Sequence, residues 1–295
     1  MWRKRIAMTM VVVTVVVTGW GVVGTPPPVM AQADRNEAIF GDFNGDRITD
    51  RVYLGSAPPD YCSIIVEYGQ ADGSFRSPLV YIYLRPGREE GPEVPCPDIG
   101  VAVELDPGNP DDELVVSWFA GPPETIDYTM LVLRDFQPDF GLTQAIFQPS
   151  NMDTADFNGD DRMDVWSATD QGEGFESYLS LGNGTLTPGP VRWCARLVSY
   201  DVFDFDRDGA QDVLIAYRRK CEDGSTGVVV VLDDGTVQQL EFDPMGLTNW
   251  TARLVHLNDD RFGDVQTQNL ATGALRNFIG RGNGTFVVPP QANPD

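Results

Sequence analysis

Three nine-residue segments of the chain carry oxygen-bearing side chains at the same alternate positions. They span residues 42–50, 156–164 and 204–212, and each reads Asp-x-Asn/Asp-x-Asp-x-x-x-Asp. Oxygen donors at this spacing suit a hard cation, and Ca²⁺ accepts about six to eight of them in a flexible geometry. The seventh position can contribute its backbone carbonyl, which agrees with the free choice of side chain there. The spacing therefore predicts three calcium sites.

An EF-hand is the first alternative for these segments. Its loop continues into a helix and ends in a bidentate glutamate, which here would stand at Tyr53, Ser167 or Ile215. None of these side chains can supply a carboxylate, and the apolar run after each segment indicates a strand. The second alternative is a set of acidic surface turns, because Asp, Asn and Gly are common turn residues. Three copies in one register argue against it.

Two further segments keep part of the pattern and complete a repeat along the chain. Glu104 to Asp112 precedes Glu-Leu-Val-Val, and His256 to Asp264 precedes Val-Gln-Thr. The five copies start at residues 42, 104, 156, 204 and 256, so they recur every 48 to 62 residues. Both weaker copies are poorer candidates for calcium. Prolines stiffen the second, and a histidine, which is a poor calcium ligand, begins the last.

Extended segments must position these loops. Turn signals such as Asn183-Gly184 and Asp234-Gly235 separate β-rich apolar runs, and such dipeptides suit hairpin turns. Four strands fit each repeat, and no stretch has sustained helical periodicity. Four-stranded units that recur every ~50 residues predict an all-β fold, a β-propeller of five four-stranded blades. A β-sandwich is the alternative, but it would not repeat its acidic loop at the same point of each unit.

The acidic loop, paired with a downstream Gly-Asn-Gly-Thr-Phe at residues 282–286, resembles the FG-GAP/VCBS repeats of integrin α-subunit propellers and of many bacterial exported proteins. The resemblance covers about residues 37–290. It implies that each loop joins the first and second strands of a blade and binds calcium on one face. The implied ligands, with a backbone carbonyl at the seventh position, are Asp42, Asn44, Asp46, Ile48 and Asp50, then Asp156, Asn158, Asp160, Arg162 and Asp164, then Asp204, Asp206, Asp208, Ala210 and Asp212.

The start of the chain has the features of an export signal. Basic residues at 3–5 precede a long apolar run, and Ala31-Gln32-Ala33 provides small residues for cleavage. We therefore predict a signal peptide over residues 1–33 and the propeller over residues 34–295, with repeats starting near residues 37, 98, 151, 199 and 250. Because family members often have more blades, an incomplete or differently closed propeller is the alternative. The protein is expected to be secreted, extracellular or periplasmic, or else N-terminally anchored and facing outside.

Four cysteines follow the predicted signal, and an even number in an exported chain favours disulfides. Three pairings are possible. Cys62 would lie between the second and third strands of the first blade and Cys96 in the link to the next blade. Both connections are on one face, which favours Cys62–Cys96, and a related argument favours Cys194–Cys221. No Cys-x-x-Cys pair supports a zinc or redox site.

The composition bounds the function. Acidic residues outnumber basic ones by 44 to 21, a formal net charge of −23, which disfavours nucleic acid and anionic lipid as partners. His256 is the single histidine, and no catalytic constellation is visible. We expect a calcium-binding adhesion or scaffold module for an unidentified protein or glycan, of unknown oligomeric state, and not an enzyme. An exported glycan hydrolase or lyase on a propeller scaffold is the alternative, since carboxylate pairs can hydrolyse glycosides.

Overall fold

A computed structural model of the protein describes residues 38–57, 61–84, 96–118, 129–144, 149–169 and 174–289. These described residues form twenty β-strands. These residues contain no helix, and so none that is long and apolar enough to cross a bilayer. The predicted signal peptide lies outside the described residues. The prediction of an all-β fold is confirmed.

The strands form five four-stranded antiparallel sheets, in which the strand order follows the chain. Sheet one contains β1 (Ile39–Gly41), β2 (Asp50–Ala57), β3 (Tyr61–Glu67) and β4 (Leu79–Leu84). Sheet two contains β5 (Ile99–Val103), β6 (Glu113–Ser117), β7 (Thr129–Arg134) and β8 (Gln137–Gln144). Sheet three contains β9 (Asn151–Ala155), β10 (Asp164–Thr169), β11 (Gly174–Ser180) and β12 (Leu186–Trp193). Sheet four contains β13 (Arg196–Phe203), β14 (Asp212–Arg218), β15 (Thr226–Val231) and β16 (Val237–Asp243). Sheet five contains β17 (Trp250–Val255), β18 (Asp264–Asn269), β19 (Leu275–Gly280) and β20 (Phe286–Val287).

Hydrophobic layers separate consecutive sheets. Every residue of β6, β10 and β15 is buried, because the middle sheets are covered on both faces. Their sequences are accordingly near-continuous runs rich in β-branched residues. Between sheets one and two, Val52 and Ile64 pack with Leu114 and Leu131, and between sheets two and three, Val115 and Val132 pack with Val165 and Tyr178. Between sheets three and four, Trp166 and Phe175 pack with Val213 and Val229, and between sheets four and five, Leu214 and Val230 pack with Val265 and Phe278.

First strands of neighbouring sheets contact one another, as β1 contacts β5, β5 contacts β9, and β13 contacts β17. Sheets that stack in chain order with their first strands innermost are consistent with five consecutive propeller blades. Closure of the ring between sheets one and five stays a prediction.

The two end sheets differ in the face that points away from the stack. On sheet one this face carries exposed apolar side chains, with Val80 63% and Ile82 54% exposed. On sheet five it carries a polar ladder, in which Arg253 donates to Gln266 (2.6 Å) and Gln266 to Asn277 (2.9 Å). A polar outer face of this kind is typical of a terminal unit in a stack of repeats.

Both predicted disulfides are present. Cys62 pairs with Cys96 (Cα–Cα 5.4 Å) and Cys194 with Cys221 (Cα–Cα 5.5 Å). The first joins β3 to the segment before β5, and the second joins the link between sheets three and four to the connection after β14. Two disulfides fit an extracellular or secreted protein.

Candidate metal centre

The acidic segments are the connections between the first and second strands of the sheets. In three of them the backbone follows the same path, because the fourth and sixth residues have positive φ. Glycine occupies only one of the two positions in each loop, the fourth in the first and third sheets and the sixth in the fourth sheet. The positive values of φ are 70° at Gly45 and 64° at Arg47, 67° at Gly159 and 62° at Asp161, and 68° at Arg207 and 104° at Gly209.

Side chains of each loop accept hydrogen bonds from its own backbone. Asp156 Oδ1 accepts from the Gly159 amide (2.8 Å), and its Oδ2 accepts from the Asp161 amide (2.9 Å). The fifth residue bonds the seventh in every case, as Asp46 Oδ1 does with the Ile48 amide (2.9 Å). These bonds hold the carboxylates of the first and fifth residues against the loop backbone.

The fourth sheet brings three predicted ligands together. Carboxylate oxygens of Asp204, Asp206 and Asp208 lie within 4.8 Å of one another. Burial, and then the nearby charges of Asp208 and Asp204, raises the pKa of Asp206. Oxygen-only donors that repel one another at this distance fit a hard cation such as calcium in their chemistry.

The first and third loops differ from the fourth. Asn44 and Asn158 provide an amide oxygen at the third position in place of a carboxylate. In the third loop, Asp160 is also ion-paired to the guanidinium of Arg162 and accepts from Asn158 Nδ2 (3.0 Å). This loop therefore neutralises part of its own charge.

Asp233 is a neighbour of the fourth loop that the loop pattern did not reveal. It lies in the turn between β15 and β16, where burial, and then the charges of Asp208 and Asp206, raises its pKa. It was missed because the turn and the loop are separated in sequence and meet only at the end of the sheet. The Asp233-Asp234-Gly235 sequence did predict a turn at this point, and that turn is what brings Asp233 to the loop.

The last aspartate of each loop is buried and bridges two parts of its sheet. One carboxylate oxygen accepts from the second residue of its own loop, and the other accepts from the third strand or the turn that follows it. Asp50 accepts from the amides of Phe43 (3.0 Å) and Gly69 (2.8 Å), and Asp164 from those of Phe157 (2.8 Å) and Ser180 (2.7 Å). Asp212 accepts from the amides of Phe205 (2.8 Å) and Asp233 (2.8 Å), and Asp264 from those of Leu257 (2.6 Å) and Gly280 (2.9 Å).

This bridging acid fastens the loop to the far side of the sheet. Burial raises the pKa of Asp164 to about 6 and that of Asp212 to about 7, although the two amide donors oppose the shift. Burial likewise raises the pKa of Asp50. Asp212 is not part of the cluster formed by Asp204, Asp206 and Asp208. A role for these last aspartates as calcium ligands stays a prediction, whereas their structural role is visible.

In the second sheet, the bridging acid is Glu113 and not Asp112, and its second oxygen, Oε1, faces Arg134 Nε at the end of β7 (3.9 Å) instead of a backbone amide. Glu113 Oε2 accepts from the Leu105 amide (2.7 Å), so this loop is one residue longer than the pattern indicated. Asp112 instead joins the first loop, where its Oδ2 accepts from the Asp42 amide (2.7 Å) and its own amide donates to the Asp42 carbonyl (2.7 Å). The longer glutamate side chain compensates for the extra residue.

Successive loops are also bonded through their backbones. The Gln211 amide donates to the Asp156 carbonyl (2.7 Å), which repeats the bond from Asp112 to Asp42 one pair of sheets later. In the fifth loop, His256 takes the first position and its ring lies against Phe203, with the ring centroids 6.3 Å apart. That loop therefore lacks the first carboxylate of the pattern.

Comparison with protein families agrees with this architecture. A family model described as an FG-GAP-like repeat matches residues 156–215, from the first aspartate of the third loop into β14. The matched segment thus includes the third loop, strands β10 to β13 and the whole fourth loop. No curated protein matches the chain. The chain therefore carries an FG-GAP-like repeat over residues 156–215.

Proposed function

We propose that the protein is an exported calcium-binding β-propeller that acts by binding, as an adhesion or scaffold module for a protein or glycan, and not by catalysis. The FG-GAP-like repeat and the five stacked sheets support the module. Disulfides form and persist in oxidising compartments, so the two bridges support export.

The short separation of the Asp204, Asp206 and Asp208 carboxylates is the observation that best supports the calcium proposal. Three carboxylates within 4.8 Å of one another repel unless a cation or protons neutralise them. Calcium bound there would supply positive charge and order the loop. The residues that would hold it are these three aspartates and the Ala210 carbonyl, with Asp233 beside them as a further carboxylate.

The loops should differ in affinity. Calcium affinity depends on the number of charged ligands and on the rigidity of the site. The fourth loop has three clustered carboxylates, and Asp233 stands close to them. The third loop has Asn158 in place of one carboxylate, and Arg162 already pairs with another. We therefore expect the fourth loop to bind calcium most tightly.

Calorimetric titration of the chelator-stripped mature protein with calcium chloride tests the proposal. We expect one ion for each of the three complete loops, with dissociation constants on the order of 10⁻⁴–10⁻³ M, as suffices outside the cell. Asp208→Ala should remove the tightest site. Asp234→Ala is the matched control, because this exposed residue lies near the site but caps its own turn by accepting from the Thr236 amide (2.7 Å). No calcium uptake at millimolar concentration, or equal losses in the two variants, would refute the assignment.

A further inference from the structure

Three arginines lie at the end of sheet four that points away from the acidic loops. Arg196 and Arg218 stand directly opposite each other on β13 and β14, and Arg219 follows at the start of the next connection with φ of 53°. Among the residues that the structure describes, none of the three side chains has a hydrogen-bonding or ion-pairing partner. Like charges directly opposite each other on paired strands are destabilising, and a bound anion would relieve this repulsion.

The second disulfide holds this group in place. Cys194 precedes Arg196 by two residues, and Cys221 follows Arg219 by two. The Cys221 amide also donates to the Cys194 carbonyl (3.1 Å), so both arginine-bearing segments are tied at one point. Lys220 adds a fourth cation, which stacks 4.7 Å from the Trp193 ring and pairs with Glu222 (3.2 Å).

The acids that the structure describes in the two adjoining connections are already occupied. Glu222 pairs with Lys220, while Asp223 Oδ1 accepts from the Ser225 amide (2.8 Å). Asp243 accepts from three backbone amides of the connection between β16 and β17, those of Met245 (2.8 Å), Leu247 (3.1 Å) and Thr248 (2.7 Å). Within the described part of the chain, these acids therefore leave the three arginines to an external anion.

That connection carries exposed apolar side chains and packs on the connection that begins with Arg219. Met245 is 75% and Leu247 80% exposed, although the bonds to Asp243 hold their backbone in a fixed turn. Gly246 of this turn packs closely against the Gly224 carbonyl in the connection that begins with Arg219. Exposed apolar side chains on a rigid turn are features of a binding surface.

We propose that this surface, formed by Arg196, Arg218, Arg219, Met245 and Leu247, binds an acidic protein segment that also carries apolar side chains. The planar guanidinium forms paired hydrogen bonds with carboxylates, and the apolar turn contacts the intervening side chains. A sulfated polyanion fits less well, because it offers no apolar side chains to Met245 and Leu247. The inference rests on the proposed binding role and names the chemistry of the partner.

A labelled peptide of alternating glutamate and leucine tests this surface by fluorescence anisotropy, with the mature protein titrated in calcium. A glutamine and leucine peptide and the sulfated glycan heparin are the comparison probes. The variant R196Q/R218Q/R219Q should bind the acidic peptide at least about tenfold more weakly, because the loss of even one hydrogen bond between charged groups lowers affinity by about that factor. The matched control R76Q/R261Q/R281Q makes the same charge change at exposed arginines on the side of the acidic loops and should bind as the parent does.

Folding is checked in the same samples. The triple variant should melt no lower than the parent, because it removes a like-charge pair from β13 and β14. The single variant R219Q, in an exposed connection, should weaken binding in the same direction. Equal affinity in parent and triple variant, an equal loss in the control variant, or binding of heparin in preference to the peptide would overturn the proposal. Calcium uptake by the acidic loops is measured separately, so failure here leaves that result distinguishable.

Discussion

Replacement of the bridging acid in sheet five should destabilise the protein without any involvement of calcium. Asp264 is fully buried and accepts from the Leu257 and Gly280 amides at 2.6 and 2.9 Å. Asp264→Ala leaves the buried Gly280 amide and the part-buried Leu257 amide without a partner, and each orphaned donor costs about 1–3 kcal/mol. We expect a loss of about 3–5 kcal/mol in the free energy of unfolding, or roughly 10 °C in melting temperature for a domain of this size.

The fifth loop makes this test clean, because His256 replaces its first carboxylate. Melting is followed by circular dichroism in EDTA and again in calcium, and the loss should be the same in both. Asp260→Ala is the control in the same loop, where an exposed side chain accepts from the Phe262 amide (2.9 Å). Its effect should stay within about 1 kcal/mol. Equal shifts for the two variants, or a loss from Asp264→Ala that appears only with calcium, would contradict the structural role.

Two further predictions concern pH and the second disulfide. In EDTA, the free energy of unfolding should rise as the pH falls from about 7.5 to about 5. Burial raises the pKa of Asp212 to about 7 and that of Asp164 to about 6. The folded chain therefore binds these protons more tightly than the unfolded chain does. Asp212→Asn should flatten this rise in thermal melts at several pH values, and a stability that falls steadily over the same interval would contradict the assignment. Cys194→Ser with Cys221→Ser should lower the free energy of unfolding by about 3–4 kcal/mol in denaturant titrations, since the bridge spans 27 residues of sequence. No change would indicate that the unfolded chain is not constrained by this bridge.

The sequence predicted the fold through its repeat. Aspartates at fixed spacing identified each connection between first and second strands, and turn dipeptides such as Asn183-Gly184 identified the hairpins. A repeat of this kind reports both the number of sheets and their internal order, because each copy must fold in the same way. The closure of the ring depends on how the outer faces of sheets one and five meet, and no local pattern encodes that contact.

Ligand roles within the loops were harder to predict. Asp50 and Asp46 look alike in the sequence, yet one is buried against two amides and the other is exposed. Pattern alone cannot distinguish them, because the partners of Asp50 include Gly69, which is distant in sequence. For the same reason Glu113 was passed over in favour of Asp112, and Asp233 was not recognised beside the fourth loop.

The bridging acid has a consequence for how such a chain can change over generations. All five sheets carry it, as Asp50, Glu113, Asp164, Asp212 and Asp264, whereas only three loops carry the full set of oxygen donors. The residue that secures the shape of a unit is therefore separate from most of those that would attract an ion. A unit can drift until it no longer attracts a cation and still keep its place in the stack. A protein engineer could therefore change the oxygen donors of one loop at a time, and keep the bridging acid, to alter how many ions the protein would bind.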